Sequence, residues 1–137
     1  MSALTFILVV LVAFIAGVAS VVDERQFHRP LVACTLMGLA LGDLTTGIIL
    51  GGFLELIALG WMNVGAAMAP DSALASTISA IVVIQGHQDI TTGIAIAVPL
   101  AAAGQVLTIF VRTITVFFQH QADNFAKTAN FRGIELM

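Results

Sequence analysis

The sequence predicts an all-helical integral membrane protein, and three observations carry that prediction. First, 59% of the 137 residues are hydrophobic and only 9% are charged, with a mean hydropathy of +1.05. Soluble domains average about 45–50% apolar and about 25% charged residues. Five Lys and Arg and eight Asp and Glu are too few to clothe a water-facing surface, which excludes an ordinary cytosolic enzyme and a disordered chain. So acidic a balance also excludes a basic nucleic-acid-binding face. Second, several uncharged apolar runs approach the roughly 20 residues that a helix needs to cross a bilayer. Third, the chain repeats its own helix-start signal, as described below.

Taken in order, residues 3–22 carry no charge and suffice for a crossing. They lack the basic leader of a secretion signal, and more apolar sequence follows at once, so a retained helix is expected. The polar stretch DERQFHRP at 23–30 follows, and then residues 31–41, apolar but long enough for only half to two-thirds of a crossing. Residues 45–60 are slightly short and carry Glu55. Residues 64–85 are broken near their start by Pro70-Asp71, and 90–118 form a long run holding Pro99 and Gly104. Uneven lengths with internal breaks point to re-entrant or discontinuous helices, which need protein or water around their open backbone. Cys34 has no partner in the chain and is expected to be a small buried hydrophobe.

Residues 43–50 read DLTTGIIL and residues 89–96 read DITTGIAI, five identities in eight positions. In each copy an Asp stands three residues before a Thr, the spacing of an N-cap at a helix start. If the copies run parallel, Asp43 and Asp89 share one membrane face, and the residues between them enter and return. Charge agrees: Arg25, Arg29, Arg112, Lys127 and Arg132 all fall toward the cytoplasm if the N-terminus and both aspartates are outside. The expected architecture is two inward re-entrant hairpins and one long transmembrane helix. Residues 1–42 form the first hairpin, 43–88 the second, 89–121 the long helix with breaks, and 122–137 a cytoplasmic tail. Asp23 or Glu24 is expected to pair with a neighbouring Arg at the first inward tip.

Counted inward along helices, Glu55 lies roughly 18 Å and Asp71 roughly 21 Å from the outer edge, near the middle of a core about 30 Å thick. Intramembrane carboxylates are costly and mark sites by default. Together Glu55, Trp61, Asn63 and Asp71 suit a polyhydroxylated ligand: carboxylates and amides bond hydroxyls while an indole covers a sugar face. Gln26 and Gln105 are further candidates. Each residue also has a plainer use: Asp71 as cap of the helix after Pro70, Glu55 in a structural hydrogen bond to another subunit, Trp61 in the interfacial belt. Asn63 capping a turn and Gln105 bonding between helices complete that set. On this reading, neutralising Glu55 or Asp71 relieves insertion cost. Gly38, Gly42, Gly47, Gly51 and Gly52 are expected to line close helix contacts. No P-loop, G-x-S-x-G or Cys/His pair is present, and His28, His87 and His120 are scattered, so no catalytic residue, metal or cofactor is assigned.

DERQFHRPLVACTLMGLALGD, GGFLELIALGWMNVGAAMAPDSALAS and PLAAAGQVLTIFVRTITVFFQHQAD resemble the membrane subunit IIC of the mannose-family sugar phosphotransferase system over nearly all of residues 4–125. The resemblance implies half of an elevator-type transporter with a moving core and a V-shaped scaffold, in the bacterial cytoplasmic membrane as a multi-pass subunit. It implies a IID membrane partner in a trimer of IIC–IID pairs, and IIA and IIB partners that carry the phosphate. The subunit itself binds and moves a hexose without being phosphorylated. Pore-forming bacteriocins dock on the outer face of several members. The family's subunit is close to twice this length and the likeness fades in FAKTANFRGIELM, so the chain corresponds to its first half, as a truncated product or partial chain. Two other readings stand beside it: a non-transporting interaction protein or bacteriocin receptor, and an ion-coupled carrier using Glu55 and Asp71.

Overall fold

The computed structural model describes residues 2–22, 26–65 and 67–127, which form five helices. They are α1 (Ala3–Val22), α2 (Pro30–Leu41), α3 (Leu44–Ala58), α4 (Ser72–Gln85) and α5 (Ile90–Lys127). Their ends follow local chemistry. Pro30 opens α2, where its missing N–H costs nothing, and Gly42 closes it in the left-handed conformation at φ 89. Asp43 caps α3: its carboxylate accepts the Thr46 N–H at 3.1 Å and the Thr46 hydroxyl at 2.6 Å. Those two bonds, the hydroxyl foremost, hold the Asp43 carboxyl below the usual carboxylate value. Asp23, Glu24, Arg25 and Arg132 lie outside the described residues.

The chain divides into two units, residues 1–105 and 106–137. In the first, α2 touches α1, α3 and α4. The core is Val9 and Val12 of α1, Cys34 and Met37 of α2, Leu50 and Leu54 of α3, Ala75, Ala80 and Val83 of α4, and Ala97 and Ala101 of α5. Small side chains let the backbones approach closely, the way helices associate where lipid offers no hydrophobic drive. Gly47 lies against the Cys34 carbonyl and Gly38, and Gly51 against Leu31. Gly42 and Gly52 do not share this use; a β-carbon on either meets nothing within 4 Å.

Both copies of the repeat share one backbone bond at the helix start, though among the described residues a side-chain cap is seen only at Asp43. Each Asp carbonyl accepts the N–H of the Gly four residues on, Asp43 from Gly47 at 3.2 Å and Asp89 from Gly93 at 3.3 Å. Each of these glycines packs against the preceding helix, Gly47 on α2 and Gly93 on Val83 of α4. Moreover, α2 and α4 run in the same direction. The Ser72 hydroxyl donates to the His28 carbonyl at 3.2 Å, and the Cys34 thiol to the Ser76 carbonyl at 3.4 Å. Asp43 and Asp89, which follow α2 and α4, therefore sit at the same end of this unit.

The second unit consists, among the described residues, of α5 beyond Gln105. Phe110, Phe117 and Phe118 are exposed there, the last two edge to face at 5.9 Å. The Thr113 and Thr115 hydroxyls donate to the carbonyls of Ile109 and Val111, which satisfies them inside an apolar helix. α1 and α5 are both long and apolar enough to cross a membrane.

Candidate functional site

The polar residues of the first unit gather where α2 and α4 begin. Pro30 contributes no N–H, so the first free donor of α2 is Leu31, which donates to Glu55 Oε2 at 3.2 Å. The other oxygen, Oε1, accepts Arg29 Nε at 2.9 Å. Glu55 thus projects from α3 onto the start of α2 and serves it as both ion-pair partner and cap. Beside it, Asp71 caps α4, its Oδ1 accepting the Leu74 N–H at 3.0 Å. The Ser72–His28 bond joins the two helix starts. Two carboxylates therefore sit at two adjacent, parallel helix N-termini, where the helix dipoles favour negative charge.

The 59–71 connection folds over this end. Val64 and Ala67 exchange backbone bonds at 3.1 and 3.0 Å around Gly65 at φ 59. Asn63 Oδ1 accepts the Ala69 N–H at 2.7 Å, and Trp61 packs, half-buried, against the core. Two bonds fasten the segment to α5. Gln105 Nε2 donates to the Met68 carbonyl at 2.5 Å, and the Asp71 N–H donates to the Ala101 carbonyl at 3.0 Å. Gly104 lets Asp71 lie directly on α5, since a β-carbon there would stand 2.6 Å from Asp71 Cβ.

Of the six candidates, Glu55, Trp61, Asn63, Asp71 and Gln105 belong to this cluster or the segment fastened to it. Gln26 is exposed at φ 54, and its carbonyl accepts the Arg29 N–H at 3.0 Å. Three expectations change. Glu55 bonds within its own chain, to Arg29 and the Leu31 N–H; the pairing expected of Asp23 or Glu24 falls outside the described residues. Gln105 bonds a loop carbonyl, not a neighbouring helix. Neutralising Glu55 no longer relieves a cost, because it strands Arg29. Sequence reasoning missed Ser72 and Gly104; the only signal for either was its place beside Pro70-Asp71 or Gln105.

The family model for the PTS system sorbose-specific IIC component matches residues 3–137. The chain belongs to this family. The likeness does not fade after residue 125, as expected above, but continues through the tail. The fructose permease IIC component of Bacillus subtilis is 69% identical over 137 residues, all of this chain and 51% of the relative. The sorbose-specific EIIC component of Klebsiella pneumoniae is 67% identical over 99% of this chain and 51% of its own length. The mannose-specific EIIC component of Escherichia coli is 67% identical over 96% of this chain and 49% of its own. The chain therefore spans about half the length of these relatives. Among solved structures, the mannose transporter ManYZ in complex with microcin E492 superposes with a TM-score of 0.86. It is 65% identical, over 98% of this chain and 54% of that one.

Proposed function

We propose that this chain forms the sugar-binding half of a IIC subunit, moving a hexose inward across the bacterial cytoplasmic membrane for phosphorylation by partner proteins. The observation that carries this reading is the gathering of Glu55 and Asp71 at the paired starts of α2 and α4. Carboxylates within a membrane are expensive and mark sites by default. An ionised carboxylate has about four lone-pair sites, and the bonds above leave some on each of these for sugar hydroxyls. Asn63 and Gln105 hold the segment that covers the site, and Trp61 offers a face to the sugar ring. The hexose class follows the fructose, sorbose and mannose named for the relatives. A IID membrane partner, IIA and IIB phosphocarriers and a trimer of IIC–IID pairs complete the system.

In this reading the segments before Asp43 and Asp89 are inward re-entrant hairpins of an elevator-type carrier, with both aspartates outside. Asp43→Cys and Asp89→Cys chains are expected to react equally with a membrane-impermeant thiol reagent added to intact cells. Reactivity from opposite sides would discard the hairpin arrangement.

The site itself is tested with Asp71→Asn. Asn caps a helix about as well as Asp, so folding is expected to survive. A charge-assisted bond to a hydroxyl contributes about 1.5–3 kcal/mol, so sugar affinity is expected to fall roughly tenfold or more. Assembled Asp71→Asn complexes that bind mannose, fructose and sorbose as the parent does would move the site elsewhere. A second reading, bacteriocin docking, is favoured by the relative solved with microcin E492. Asp71→Asn separates the two, because toxin sensitivity is expected to persist when sugar affinity falls.

A further inference from the structure

Arg29 has no part in the sugar contacts proposed above, yet it stands at the junction of everything that forms them. It directly precedes α2 in extended conformation, at φ −63 and ψ 136. Its Nε holds Glu55 Oε1 at 2.9 Å while the Leu31 N–H holds Oε2 at 3.2 Å. One three-residue stretch therefore grips both oxygens of a single carboxylate. On its other side, the His28 carbonyl accepts the hydroxyl of Ser72, the neighbour of Asp71. The 28–31 tip is thus the physical link between the two carboxylates.

Side-chain exposure separates the partners' roles: Arg29 is 37% exposed and Glu55 18%. Glu is flexible, and ordering it only when ligand arrives would cost affinity, which a pre-formed grip avoids. The planar guanidinium suits that grip, since its Nε–H points in a fixed direction that a lysine ammonium cannot reproduce. We infer that Arg29 is a positioning residue for sugar binding, fixing the Glu55 carboxylate toward the sugar without touching it. This rests on the sugar-site reading above.

The test uses the chain in its assembled membrane complex, with mannose and fructose as probes. Affinity and oligomer size are measured for Arg29→Gln, Arg29→Lys, Glu55→Gln and the double variant Arg29→Gln/Glu55→Gln. Arg29→Gln is expected to weaken binding about three- to tenfold, and Glu55→Gln about tenfold or more. Arg29→Lys, which keeps the charge, is expected to fall between Arg29→Gln and the parent. The double variant is expected to bind no more weakly than Glu55→Gln alone, because Arg29 acts only through Glu55. Arg29→Gln binding like the parent, or losses in the double variant that multiply, would overturn the inference. If Glu55→Gln leaves Arg29 stranded and fails to assemble, the charge-neutral double variant replaces it. Arg29→Gln must then weaken binding, but by no more than the double variant does. If Arg29→Gln itself fails to assemble, Arg29→Lys carries the comparison, and parent-like affinity there overturns the inference. Parent-like binding by every Glu55 variant would instead sink the sugar-site reading, and this inference with it.

Discussion

Replacing Gly47 with alanine is expected to disrupt the α2–α3 hairpin and sharply reduce the yield of folded, membrane-inserted chain. The added β-carbon would stand 2.5 Å from the Cys34 carbonyl oxygen and 2.9 Å from Gly38 Cα. Both are backbone atoms where α2 and α3 cross, so no rotamer change can make room. Overpacking costs about 1–3 kcal/mol and occasionally more, and backbone-on-backbone contact places this change at the upper end. That is a large share of the stability of a typical domain, about 5–15 kcal/mol. Gly52→Ala is the control: it lies on the same helix, meets nothing within 4 Å, and is expected to be neutral or slightly stabilising. Equal melting temperatures for the two variants in detergent would show that the crossing is looser than described.

The second large effect is expected at Gly104, and it falls on binding more than on folding. A β-carbon there meets Asp71 Cβ at 2.6 Å, Leu74 Cδ2 at 3.0 Å and Asp71 Oδ2 at 3.1 Å. The leucine methyl can swing away. Asp71 cannot, because its N–H is bonded to Ala101 and its carboxylate to Leu74 at the helix start. Gly104→Ala therefore pushes Asp71 off its position, and sugar affinity is expected to fall roughly tenfold. Pairing the affinity measurement with a check of complex assembly distinguishes a displaced carboxylate from a misfolded chain. An assembled Gly104→Ala complex with parent affinity would separate Asp71 from the sugar.

Much of the helical framework was legible along the chain because helix starts and stops are local events. Pro30, Gly42-Asp43, Pro70-Asp71 and Gly86 interrupt apolar runs: α2 starts at Pro30 and stops before Gly42, α3 starts after Asp43, and α4 starts after Asp71 and stops before Gly86. Capping needs only neighbours: Asp43 reaches Thr46 and Asp71 reaches Leu74, each three residues on. The repeat was legible for the same reason, since a helix start followed by a close-packing glycine is written in consecutive residues.

The sequence by itself thus determined most helix starts, the caps at Asp43 and Asp71 and a set of costly polar residues, but the breaks expected in the long last helix are not there, since α5 runs as one helix from Ile90 to Lys127 through Pro99. Only the tertiary structure decided what those polar residues hold. Leu31 and Glu55 are 24 residues apart, Met68 and Gln105 37, and His28 and Ser72 44. No periodicity reports such pairings, because they depend on which helix faces meet and how closely. The same limit separates glycines of identical sequence appearance: Gly47 and Gly104 are required by another backbone or side chain pressing on them, while Gly52 faces open space. Glu55 shows the consequence most plainly. In the sequence it is an unpaired charge in an apolar run, and in the fold it is the partner of Arg29, because packing α2 against α3 brings them within 2.9 Å.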